Sequence, residues 1–152
     1  MKQNVIRNLA IVSSLLVAGN LSAQNPIIQT MYTPDPAPYV YNDTVYLFVD
    51  HDEDDAQYFS MKDWMLYSSV DMVNWTYRGT QVTTATFEWA KQGDRAWAAQ
   101  AIERNGKWYW YMCCNTKQGG DALAVAVADS PTGPWKDAIG KPLAEGFGYI
   151  DP

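Results

Sequence analysis

Two aspartates stand immediately before prolines in this 152-residue chain: Asp35 in Thr33-Pro34-Asp35-Pro36, and Asp151 in Ile150-Asp151-Pro152. Flanked by Pro34 and Pro36, Asp35 is barred from a helix interior, because proline lacks an N–H donor and restricts the residue before it. It also lies just ahead of a hairpin pattern, Tyr39 to Val49, which fixes where it points. A pair of held carboxylates can do proton work on a glycosidic bond. One handles a proton at the leaving oxygen, another activates water, and an aromatic face holds the sugar. Trp97, in Trp97-Ala98-Ala99, is the candidate for that face. Taken alone, an Asp-Pro pair is more simply a turn or strand-start device, since Asp bonds its own backbone and proline sets the next dihedral. What lifts these two above that reading is where they fall in a repeat.

The elements that must position them are strands. Tyr39 to Tyr41, the turn Asn42-Asp43 and Val45 to Val49 form a hairpin, and Met65 to Val70 and Trp75 to Arg78 supply two further strands. The plan then recurs. Ala101 to Arg104, the turn Asn105-Gly106 and Trp108 to Cys114 make a second hairpin, followed by Leu123 to Ala128 and Trp135. Setting Asn42 against Asn105 aligns TVYLF with KWYWY, and YSSVDMVNW, ending at Trp75, aligns with VADSPTGPW, ending at Trp135. Units of four short antiparallel strands repeated at this period predict an all-β fold, a β-propeller with about two blades and the start of a third at Ile150-Asp151-Pro152. A β-sandwich with similar hairpins is the rival. In a propeller the innermost strand of each blade lines the central channel, so Asp35, Asp151 and, in the blade between them, Trp97 converge on one cavity. Trp75 and Trp135 are expected to pack between blades, and Trp108, Tyr109, Trp110 and Tyr111 to be core. HDEDDAQYFSMKDW and the stretch from Gln81 to Arg95 are expected as connections between blades, with the acidic run Asp50 to Asp55 a solvated loop. That run lacks the glycine and terminal glutamate of a helix-flanked calcium loop.

Bulk properties narrow the partners. Residues 1–23 carry Lys2 and Arg7, the apolar run Leu9 to Ala18, and small residues before Gln24, the layout of a secretory signal peptide. The apolar run is too short for a membrane span, so a secreted or periplasmic protein with no span after cleavage is expected. Residues 24–152 then form one domain. Without Lys2 and Arg7 the 11 basic side chains fall to 9 against 17 acidic, a net charge of −8. Such a surface repels polyanions, so no nucleic acid partner is expected. Seven Trp and ten Tyr suit sugar stacking as well as core packing. Cys113 and Cys114 are adjacent in a strand and point to opposite faces, so two unpaired thiols are expected. His51 is the sole histidine, and no Cys and His spacing suggests a metal site.

TPDPAPYVYNDTVYLFVDHDEDD, SSVDMVNW, WAAQAIERNGKWYWY, ADSPTGPW and YIDP, in that order, resemble the start of glycoside hydrolase family 43. The resemblance runs from about Asn25 to Pro152. It implies a five-bladed β-propeller that hydrolyses arabinose- and xylose-containing plant polysaccharides, as an α-L-arabinofuranosidase, an arabinoxylan arabinofuranohydrolase or a β-xylosidase, with inversion. It further implies that Asp35 is the general base, that Asp151 tunes and orients the general acid, that Trp97 is a wall of the pocket, and that His51-Asp52-Glu53 lies on the loop after the first blade's second strand, near the rim of the site. The family's general acid is a glutamate in a later blade. Glu103 and Glu145 lie outside its motif, so residues 1–152 by themselves are expected to be inactive. No cofactor is implied, although a structural calcium in the complete propeller is compatible with the family. A non-catalytic carbohydrate-binding propeller is the alternative, and the survival of both aspartates speaks against it. Related five-bladed hydrolases of fructans place Asn before the aspartate and Gly after the proline, which Thr33 to Ala37 does not match.

Overall fold

Asn42 and Asp43 both take positive φ, 47° and 55°, and so do Asn105 and Gly106, 56° and 75°. Two successive left-handed residues make the tight turn whose twist matches paired strands, and Asn, Asp and Gly tolerate it best. In the computed structural model, which describes residues 26–152, these turns open two antiparallel sheets. The expected signal peptide, 1–23, lies outside the described residues.

The first sheet has the order β1 (Ala37–Tyr41), β2 (Thr44–Asp52), β3 (Met61–Ser69), β4 (Thr76–Thr83). The second runs β5 (Trp97–Arg104), β6 (Lys107–Asn115), β7 (Asp121–Ala128), β8 (Lys136–Asp137), with β9 (Ala144–Glu145) also on β7. β8 pairs with Ala126 and Val127 while β9 pairs with Ala122 and Leu123, so the two short strands act as one interrupted fourth strand. These are two blades of a β-propeller. The described residues contain no α-helix, only a turn of 3-10 helix at Thr84–Thr86, and no helix among them is long and apolar enough to cross a membrane.

Alternation along β2 and β6 builds the core between the blades. Phe48 from β2 meets Trp108 and Trp110 from β6, with ring centroids 6.1 and 4.8 Å away. Trp108, 2% exposed, also takes the edges of Tyr39 and Tyr41 at 5.0 and 5.2 Å. Trp135 closes the same layer against Trp110 at 5.3 Å. Tyr109 and Tyr111, on the opposite face of β6, are only half-buried.

Three expectations need correction. Trp75 does not lie between these two blades; it packs on the far face of the first sheet with Ile28, Leu47, Val49, Met65 and Tyr67. HDEDDAQYFSMKDW joins β2 to β3 inside the first blade, because β2 runs on to Asp52 and β3 begins at Met61; only the stretch from Gln81 to Arg95 links the blades. The acidic run is not wholly a solvated loop, since Asp50 is 1% exposed within β2. Cys113 and Cys114 are both buried and free, and burial, foremost, pushes each thiol up to about 12.

Candidate active site

Asp35 and Asp151 share an unusual backbone state. Both have positive φ, 47° and 53°, although each precedes a proline. Aspartate is among the few non-glycine residues that tolerate the left-handed region, and its occupation at two repeat-related positions marks a local geometry held by the surroundings.

The hold on Asp35 comes from β2. The Asp52 amide donates to the Tyr32 carbonyl at 3.2 Å, tying down the segment that leads into Asp35. The Asp52 carboxylate in turn accepts from the Ser60 amide at 2.9 Å, which folds residues 53–60 back over the strand ends. Asp151 is held from β7 and β6. Asp121 accepts the Gly146 amide at its carbonyl (2.9 Å) and the Gly148 amide at Oδ2 (3.0 Å), while Cys113 Sγ donates to the Tyr149 carbonyl at 3.4 Å. Trp97 opens β5, where a bulge between Trp97 and Ala99 breaks the register with β6. Bulges re-aim a side chain at a strand end. Two inter-blade bonds fix it: Trp64 Nε1 donates to the Trp97 carbonyl at 2.7 Å, and the Ala96 amide donates to the Met61 carbonyl at 3.0 Å.

These restraints place Asp35, Asp151 and Trp97 on the wall of one open cavity of about 500 Å³, completed by Pro34, Asp52, Phe59, Met61, Ala98 and Ile150. Three carboxylates and no basic side chain line it. The remaining walls are apolar, with two aromatic faces. A neutral polyol with an apolar ring face suits such a cavity better than an anion does, since stacking covers the ring while carboxylates accept from hydroxyls. A separate hollow of about 430 Å³, under Pro26 to Tyr32, offers Asp54 alone and no acid pair.

His51 is not brought to this cavity. Side-chain alternation sets it on the face of β2 opposite Phe48 and Asp50, where its Nδ1 lies 3.3 Å from Asp63 Oδ1. It lines a different hollow with Glu53, Asp54, Asp55, Ser60 and Lys62. Asp52, from the His51-Asp52-Glu53 stretch expected near the rim, does line the cavity. One lining residue is not evident from the sequence: Phe59, 62% exposed and edge-on to Tyr58 at 5.1 Å, sits in a loop with no strand period to aim it. Aromatic character next to an acidic run is the one available signal. No group of three or more His, Cys, Asp or Glu among the described residues is arranged to hold a metal ion.

An arabinoxylan arabinofuranohydrolase of Bacillus subtilis (strain 168) is 32% identical over 148 residues, covering 86% of this chain and 28% of the relative. A xylosidase/arabinosidase of Humicola insolens is 32% identical over 120 residues, 72% of this chain and 36% of the relative. Among solved structures, a family 43 enzyme of Xanthomonas citri complexed with xylotriose matches with a TM-score of 0.72 at 28% identity, covering 87% of this chain and 39% of that one. A β-xylosidase/α-arabinofuranosidase from a compost metagenome, also with xylotriose, gives 0.71 at 30% identity, covering 80% and 38%. The chain thus spans about a third of the length of the relatives it matches. The model of the glycosyl hydrolases family 43 matches residues 23–152, and the chain belongs to that family.

Proposed function

We propose that these residues carry the water-activating half of an inverting glycosidase site that acts on arabinose- and xylose-containing polysaccharides, as an arabinofuranosidase or arabinoxylan arabinofuranohydrolase, with β-xylosidase as the nearest variant. The observation that carries this reading is the meeting of Asp35, Asp151 and Trp97 in one cavity although the two acids stand 116 positions apart in the sequence (151 − 35). Asp35 would take a proton from water as that water attacks the anomeric carbon. Trp97 and Phe59 would hold the ring, and Asp151 would orient the substrate and the proton donor. In an inverting site the donor stands roughly 6.5–9.5 Å from the base, leaving room for water, and the resemblance implies that it is a glutamate beyond Pro152. The names of the relatives support the substrate class. The amino-terminal Lys2, Arg7 and Leu9 to Ala18 support export to the periplasm or the medium, where such polysaccharides are met.

The test is hydrolysis by a polypeptide that continues past Pro152 through the complete domain. Release of arabinose or xylose from arabinoxylan and from aryl pentosides is expected, with little release of hexose from aryl hexosides. Sugar binding without hydrolysis would instead make the protein a carbohydrate-binding propeller.

A further inference from the structure

Asp50 is the least expected residue near the site. It lies in β2, 1% exposed, and neither of its carboxyl oxygens has a hydrogen-bond partner of good geometry, although its own backbone amide favours the charged form. A buried ionised carboxylate without partners is very unfavourable, so the group must be satisfied by other means. Strand register shows what faces it. Ala37 pairs with Phe48 and Tyr32 bridges to Asp52, so the segment that carries Asp35 runs alongside the stretch of β2 that carries Asp50. Asp35 carries the charge that bears most strongly on the Asp50 carboxyl. Two bare carboxylates in that arrangement offer four acceptors and no donor; a hydrogen bond between them exists only when one holds a proton.

We propose that Asp50 is a positioning residue that stays protonated and donates its O–H to the Asp35 carboxylate, holding the proposed base in place from behind the cavity wall. Burial favours this assignment of the proton. Asp50 is enclosed, whereas Asp35 opens to the cavity and to solvent. Burial first, and then the Asp35 charge, push the Asp50 carboxyl up to about 8, so the acid form prevails at neutral pH. The charged groups that bear on it are Asp35, from the segment before β1, and Asp52, further along β2, and both favour the neutral form. From β3 the residue opposite is Trp64, which is uncharged and spends its N–H on the Trp97 carbonyl. Among the described residues no Lys, Arg or His forms an ion pair with Asp50. The proton is not transferred in this role. It remains on Asp50 while Asp35 accepts one from water, and the bond fixes which Asp35 lone pair faces the water.

The inference rests on the proposed glycosidase reading, and its test separates the two. In the complete domain labelled with ¹³C at aspartate side chains, the resonance missing from Asp50→Asn is expected to titrate near pH 8, against about 4 for an ordinary carboxyl. Titration in the ordinary range would overturn the proposal whether or not the protein is an enzyme. Kinetics are then read on a dinitrophenyl pentoside, whose leaving group needs no proton, so that the general acid drops out of the pH profile. Asp50→Ala is expected to lower kcat about 100-fold with KM changed less than about threefold, and Asp50→Asn, which keeps a donor, to recover to within about tenfold of the parent. The parent's kcat should fall above pH 8 and that of Asp50→Asn should not. A parent-like fall in Asp50→Asn, or full activity in Asp50→Ala, would overturn the proposal while leaving the glycosidase reading intact. A complete domain inert towards every pentoside would sink the glycosidase reading, and the ¹³C titration would still decide the protonation of Asp50.

Discussion

Asp35→Asn in the complete domain lowers kcat about 10³-fold to 10⁴-fold and leaves the affinity for a xylo- or arabino-oligosaccharide within about threefold. The amide has the carboxylate's shape but cannot take a proton from water, so the loss falls on the chemical step and not on binding. Backbone damage is a poor explanation for such a loss. Asparagine tolerates left-handed φ as well as aspartate does, and Asp35 sits there at 47°. Turnover measured with an aryl pentoside, beside calorimetric affinity for the oligosaccharide, separates the two quantities. Equal loss of turnover and affinity would mean that Asp35 holds sugar. Retained turnover would remove it from the chemistry altogether.

Trp108→Ala destabilises the protein by about 3–5 kcal/mol, read as a lower urea midpoint at unchanged slope. The indole is nearly fully enclosed and is met by rings from both strands of the first hairpin, Tyr39 and Tyr41 from β1 and Tyr46 and Phe48 from β2. No neighbouring side chain can collapse into the space without breaking contact with another ring, so the cavity would persist. Tyr58→Ala, at a residue 81% exposed, is the control and changes stability by no more than about 0.5 kcal/mol. A loss below about 1 kcal/mol at Trp108 would show that the blades are held elsewhere. The effect matters for the site because the cavity is assembled across the same inter-blade seam, through the Trp64 to Trp97 and Ala96 to Met61 hydrogen bonds.

What is legible in the sequence is what short-range rules determine. Asn42-Asp43 and Asn105-Gly106 announce their hairpins because few residues accept two successive positive φ values, and the hairpins fix the repeat that puts Asp35, Trp97 and Asp151 at equivalent places. Features that depend on long-range register are hidden. A bulge lies between Asp50 and Asp52, so counting along the acidic run cannot separate the residue buried behind the site from the one on its wall. His51, between them, is turned to the other face by alternation alone. Once β2 is known to run to Asp52, that outcome follows; read as a loop, the segment gives no face to His51. Trp75 and Trp135 end similar motifs, yet Trp135 packs in the seam and Trp75 on the outer face, a difference that the motifs themselves do not encode. Phe59 has no periodicity to place it, and tertiary hydrogen bonds, from the Ser60 amide to Asp52 and from the Glu53 amide to the Ser60 carbonyl, bring its loop over the cavity.

The central claim, that Asp35 activates water for a single displacement, is tested most directly by the configuration of the sugar first released. Proton NMR of the anomeric signals during the first minutes of hydrolysis by the complete domain, before mutarotation, should show a product of configuration opposite to that of the substrate. Release of the same configuration would mean a covalent intermediate, would make the acid facing the anomeric carbon a nucleophile, and would contradict the role of Asp35 as the water-activating base.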